Sequence, residues 1–95
     1  MAESRPAQPT IPETVEDPDW RSRYSPDIPY YNRSNKPIPA TAGASPRTAL
    51  VGQVQPNDGG FIQTCELNST YCQITFGGGG LKGYVNMDLL SGEAR

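Results

Sequence analysis

The chain contains no histidine. It therefore lacks the side chain that most often acts as a general base near neutral pH and most often ligates transition metals. Two cysteines are too few for a tetrahedral zinc site without two further soft ligands, and none stands near them. No metal and no other cofactor is expected. Long apolar runs are missing as well, so no segment can cross a bilayer as a helix. Eight basic residues are scattered among ten acidic ones, for a net charge of −2. Without a Lys/Arg cluster, the electrostatic footprint of a nucleic-acid binder is missing. Asp58, Glu66 and Asp88 are isolated acids, not a catalytic carboxylate pair. The expectation is a chain that is not an enzyme. The run Met1 to Pro6 holds no apolar signal-peptide core. That leaves two readings of compartment: cytoplasmic, or the mature form of an exported protein.

What the sequence does hold is proline and glycine, ten of each in 95 residues, with only 35% of the chain hydrophobic. This length allows one small domain. Residues 1–27 are rich in Pro, Glu, Asp, Ser and Arg and show neither helical nor alternating periodicity. Such a segment buries too little apolar surface to offset the entropy of ordering it, so it reads as an extended arm. Pro6, Pro9 and Pro12 recur with the three-residue period of a polyproline II helix, as a stiff spacer or a docking ridge. Trp20 and Tyr24 depart from this pattern. A large aromatic is costly to leave in water, and Trp20 is expected to pack on the domain or on a partner. Residues 28–92 remain for the domain, with 93–95 as a frayed end.

Within the domain, Ile28 to Ile38 carries Tyr30 and Tyr31 among prolines and suits one irregular edge strand; alternation lets one tyrosine pack while the other faces out. Ala40 to Pro46 reads as a loop. Beyond it, short apolar runs separated by turn residues recur about every ten positions, the mark of a small β-sandwich or barrel. Strands are expected at 49–54, 61–65, 71–76 and 81–86. Turns fall at 55–60, 67–70 and 77–80, and a short 3₁₀ turn at 87–90. The four glycines Gly77 to Gly80 are not a phosphate cradle, because a strand-like run follows them instead of a helix N-terminus.

Cys65 and Cys72 flank the 67–70 turn. If they face each other in an antiparallel hairpin, Gln63 faces Ile74 and Phe61 faces Phe76. Side chains two apart share a face, so Phe61, Ile74, Phe76 and both sulfurs fall together on an apolar side. A disulfide closing this short loop would contribute about 2.5 kcal/mol by the chain-entropy argument. The competing readings are two reduced thiols packed as small apolar groups and a reactive thiol, for which no activating cation or helix end is visible. A structural disulfide favours the export reading.

The run from Ile38 to Val54, with Gly43, Ser45, Leu50, Val51 and Gly52 in place, resembles the opening of bacterial SH3-like (SH3b) domains. Ala44 stands where the family usually has Pro, and Thr41 where it usually has Arg. Tyr71-Cys72-Gln73-Ile74-Thr75-Phe76 resembles the family's aromatic-x-x-apolar-x-aromatic strand. Gly83-Tyr84-Val85 with Leu89 or Leu90 resembles its closing Gly-Trp-Val and terminal Leu, with Tyr84 in place of Trp. The resemblance spans about 38–90 and leaves the arm uncovered. It implies an all-β, partly open SH3-like barrel of about five strands, preceded by the extended N-terminal arm. It also implies a non-catalytic module that binds a protein or a cell-wall peptide. Some exported members carry a cysteine pair at this hairpin, which supports the disulfide by analogy and places the chain in the periplasm or outside the cell.

A small barrel fills its interior with side chains, so ligands must use its surface. Candidates for partner contact are Trp20, Tyr24, Tyr30, Tyr31, Tyr71 and Tyr84, aromatics that offer large contact area at low entropic cost. The alternative reading is a small accessory subunit of a larger, membrane-associated assembly that docks through its arm. Asn68-Ser69-Thr70 also matches a glycosylation sequon in an expected exposed turn, one that would matter only in a eukaryotic secretory pathway.

Overall fold

The structure is a computed structural model and describes residues 15–93. The fold is all-β, with eight strands among the described residues: β1 (Tyr30–Tyr31), β2 (Ile38–Thr41), β3 (Leu50–Val54), β4 (Gly59–Gly60), β5 (Ile62–Cys65), β6 (Tyr71–Phe76), β7 (Leu81–Asn86) and β8 (Ser91–Gly92). They form an antiparallel five-stranded sheet in the order β3-β2-β7-β6-β5 and a three-stranded sheet in the order β4-β1-β8. The sheets do not close into a barrel. Strands β6 and β7 pair without interruption from Tyr71 with Asn86 to Phe76 with Leu81. Strict alternation in β6 sends Cys72, Ile74 and Phe76 inward and leaves Tyr71, Gln73 and Thr75 half-exposed. The intervening Gly77, Gly78 and Gly79 have φ of 63°, 72° and 91°, which only glycine adopts freely. The 3₁₀ turn Met87–Leu89 follows β7, with the Asn86 side chain accepting from the Asp88 N–H.

The core gathers Phe76, Ile74, Val54, Val85, Ile38, Ala40, Ile62 and Met87 around the two cysteines. Cys65 and Cys72 face each other and form a disulfide, with Cα atoms 3.9 Å apart and both residues fully buried. The hairpin register departs from the expected one beyond Thr64. An irregularity between Ile62 and Thr64 sets Ile62 opposite Ile74. Ile62 is therefore buried, and Phe61, expected on the apolar face opposite Phe76, is exposed. A bulge adds one residue to one strand and so exchanges its two faces.

Residues 15–27, expected to belong to an extended arm over 1–27, do not form one. From Val15 onward the chain is part of the folded unit, while Pro6, Pro9 and Pro12 lie outside the described residues. Glu16 pairs with Glu66, the Asp17 N–H donates to the Cys65 carbonyl (2.9 Å), and the Leu67 N–H donates to the Val15 carbonyl (2.8 Å). These bonds tie the strap 15–17 to the end of β5 and the residues just beyond it. A 3₁₀ turn, Trp20–Ser22, follows and drives Trp20 into the core. The C-terminal end is likewise tied down. β8 pairs with β1, and the Glu93 N–H donates to the Pro29 carbonyl (3.0 Å). Glu93, expected as the start of a frayed tail, thus belongs to the fold.

Candidate functional site

The six aromatics singled out for partner contact divide sharply by burial. Trp20, Tyr30 and Tyr84 are buried, so they hold the fold together and present no contact face. Trp20 is covered because the Asp17–Arg23 turn folds back under it; Tyr30 is covered because β1 lies between β4 and β8. The Tyr30 hydroxyl accepts from the Ser25 N–H (2.9 Å), and its ring meets Tyr24 edge-on at 6.2 Å. Tyr24, half-buried, packs on the core from the side. Burial pushes its phenol above the ordinary value; Arg23 opposes this, and Asp88 and Tyr30 add to it. Tyr31 and Tyr71 remain half-exposed on different strands, β1 and β6.

Around Tyr31 the structure assembles a fixed polar surface. The Arg33 guanidinium lies over the Tyr31 ring at 4.7 Å. Both of its outer edges are occupied. Nη2 donates to Glu93 Oε1 (2.7 Å) beside a second bond from Nε to Oε2, and Nη1 donates to Asn57 Oδ1 (2.9 Å). The bidentate geometry holds the planar group in one orientation. The hydrogen bond to Arg33 draws the Glu93 carboxyl below its ordinary range, and the same bond raises Arg33. Asn57 sits in the left-handed region at φ 70°, and its N–H donates to the Asn32 carbonyl (2.6 Å). The patch Tyr31–Arg33–Asn57–Glu93 thus draws on β1, the β3–β4 turn and the residue after β8. Composition pointed to Tyr31; nothing in the sequence marks Arg33, Asn57 and Glu93, which lie far apart in the chain.

Beneath this surface sits Asn32, fully buried. Its Nδ2 donates to the carbonyls of Lys36 (2.7 Å) and Val54 (2.9 Å), and its Oδ1 accepts from the Ser34 N–H (2.9 Å) and Oγ (2.6 Å). Its backbone N–H donates to Asp58. Asp58 in turn accepts from the N–H groups of Gly59 and Gly77, tying the 55–60 turn to the glycine turn after β6.

A second assembly secures the strap. The Asp17 carboxylate, buried, accepts from the Asp19 N–H (2.8 Å) and pairs with Arg23 (2.8 Å). Arg23 also donates to the carbonyls of Ser69 (2.7 Å) and Glu66 (3.2 Å), on both sides of the β5–β6 turn. Among the described residues, no group of three His, Cys, Asp or Glu side chains is placed to hold a metal ion. No helix among them is long and apolar enough to cross a membrane. Compared with protein-family models, curated proteins and solved structures, the chain matches none.

Proposed function

We propose that the chain is a non-catalytic, exported binding module of the bacterial SH3-like kind, recognising a protein or cell-wall peptide through the surface around Tyr31 and Arg33. The observation that carries this reading is the fixed geometry of that patch: an arginine plate stacked on an aromatic ring and held by Glu93 and Asn57. A surface already ordered before contact loses little side-chain freedom on binding, and Tyr and Arg are the residues that most often anchor interfaces. Export is supported by the buried Cys65–Cys72 disulfide, a bond that persists in oxidising compartments such as the periplasm. The accessory-subunit reading is the weaker one. It relied on Trp20 and Tyr24 as free arm aromatics, and Trp20 is buried while Tyr24 packs on the core.

The test is co-sedimentation of the intact, oxidised protein with purified peptidoglycan sacculi, paired with NMR shift mapping against muropeptide stem peptides. The wild type pellets and shifts Tyr31, Arg33 and Asn57. Tyr31→Ala weakens binding by about tenfold or more, the scale of an interface anchor. A wild type that neither pellets nor shifts rejects cell-wall binding. Shifts confined to surfaces away from Tyr31 reject the patch.

A further inference from the structure

Two Asn-x-Ser/Thr runs occur in the chain, Asn32-Arg33-Ser34 and Asn68-Ser69-Thr70. Such a run marks a possible acceptor of an N-linked glycan only if its asparagine reaches the surface. The fold treats the two in opposite ways. Asn32 is fully buried, and both hydrogens of its amide are donated to carbonyls. No transferase can reach that nitrogen without unfolding the patch described above. Asn68 stands at the apex of the β5–β6 turn, exposed, with φ 57°. That left-handed conformation is one that asparagine tolerates better than most residues. Its side chain makes no hydrogen bond with the described residues. Thr70, which supplies the hydroxyl of the run, is exposed as well.

The surrounding turn is held from below. Cys65 and Cys72 close it covalently, Arg23 holds the carbonyls of Glu66 and Ser69, and Ser69 Oγ accepts from the Tyr71 N–H (3.0 Å). None of these contacts engages the Asn68 amide. Flanking the apex, Val15 and Leu67 are exposed apolar side chains joined through the Leu67 N–H bond to the Val15 carbonyl.

We propose that Asn68 is the acceptor of an N-linked glycan, modified in the folded and oxidised protein. The proposal rests on the export part of the binding-module reading, through a secretory pathway that carries an oligosaccharyltransferase, since transfer of this kind takes place on the far side of the membrane. In the reaction, Nδ2 of Asn68 forms a bond to the anomeric carbon of a lipid-pyrophosphate-linked oligosaccharide. The carbon–oxygen bond to the pyrophosphate breaks, the lipid pyrophosphate leaves with the electron pair, and Nδ2 gives up one proton. No oxidation or reduction is involved.

The experiment incubates the full oxidised chain with a purified oligosaccharyltransferase and a lipid-linked oligosaccharide, and reads intact mass and glycopeptides. The expected result is one glycan per chain, mapped to residue 68 and not to residue 32. It is lost in Asn68→Gln and in Thr70→Ala. Far-UV circular dichroism confirms that each variant is folded. Absence of any addition, while a linear control peptide in the same tube is modified, overturns the proposal. Modification only after reduction of the disulfide also overturns it, because the folded turn would then not be the acceptor. Neither negative result touches the binding-module reading, which is tested on the unmodified chain with sacculi.

Discussion

The backbone N–H of Asp17 donates to the carbonyl of Cys65 at 2.9 Å, so the strap that carries Trp20 is bonded to the strand end that carries the disulfide. An open sheet edge exposes unpaired backbone groups and invites pairing with other chains. Here the chain's own residues 15–17 pair with Cys65, the last residue of β5, and with Glu66 and Leu67 just beyond it. The same residues deliver Trp20 to a core that is otherwise small. Strand-end pairing, core completion and covalent closure of the hairpin therefore meet at one place.

Removing the disulfide tests how much of the fold depends on that place. Closing the eight-residue loop from Cys65 to Cys72 contributes about 2.5 kcal/mol through the unfolded state. In a domain of this size that corresponds to a fall in melting temperature of roughly 10 °C or more. The Cys65→Ala/Cys72→Ala double variant is expected to show this fall by circular dichroism. Trp20, the single tryptophan, should report the same transition by fluorescence. Coincident melts of variant and wild type would show that the bond is dispensable.

Arg23 links the strap to the turn by three contacts, to Asp17, Ser69 and Glu66. Arg23→Ala leaves the buried Asp17 carboxylate without its cation. The expected cost is about 1–2 kcal/mol, less than for a fully buried pair because Arg23 is a third exposed. Lysine keeps the charge but not the planar fork that reaches two carbonyls at once. Arg23→Lys should therefore recover only part of the loss in a urea melt. Full recovery would mean that charge alone matters.

Strand β6 was legible because its side chains alternate without exception, whereas β7, which buries Gly83, Tyr84 and Val85 in succession, is fixed by its unbroken pairing with β6. The bulge in β5 was not. Phe61 and Ile62 are both apolar, and alternation cannot choose which of two adjacent apolar residues turns inward. The strap escaped for another reason. Its attachment depends on one buried tryptophan, one ion pair and a few backbone bonds, none of which has a period. The Tyr31 patch joins residues 31, 33, 57 and 93, and only the tertiary fold brings them together. What composition did mark, the isolated Trp20, was the right residue with an open destination.

The Arg33–Glu93 pair makes an acid-dependent contribution of definite sign. Glu93 has its carboxyl drawn below the ordinary value in the folded chain by the hydrogen bond to Arg33. The unfolded chain therefore takes up the proton first as pH falls. The contribution is complete above the ordinary glutamate range and is lost as pH drops through the lowered folded value. Both groups are exposed, so salt should weaken it. The protection of the Glu93 N–H, which is bonded to Pro29, against hydrogen exchange relative to its intrinsic rate should fall as pH drops below the ordinary carboxyl range. In Glu93→Gln that pH dependence should disappear. Unchanged acid sensitivity in Glu93→Gln would assign it to another carboxylate.

Asn32 supplies the sharpest test of the patch's foundation. Its Nδ2 points both hydrogens at carbonyl oxygens, those of Lys36 and Val54. Asn32→Asp preserves size and shape but places a carboxylate oxygen against the same two acceptors, in a site with no exposure. Leaving these buried groups unpaired and burying a charge should cost about 3 kcal/mol or more at neutral pH. The aspartate escapes part of this by holding a proton, which restores one donor. Its pKa in the folded chain is therefore raised, and the folded state binds more protons than the unfolded one between the two values. The destabilisation must grow as pH rises through the ordinary carboxyl range and shrink in acid, the reverse of the Glu93 contribution. Urea midpoints at pH 4 and pH 7, measured in a Glu93→Gln background to remove the opposing trend, should show a smaller penalty at pH 4. An equal penalty at both would show that the buried amide tolerates the loss of its donors by rearrangement. The fixed position of Asn57, whose N–H bonds to the Asn32 carbonyl, would then have to come from elsewhere.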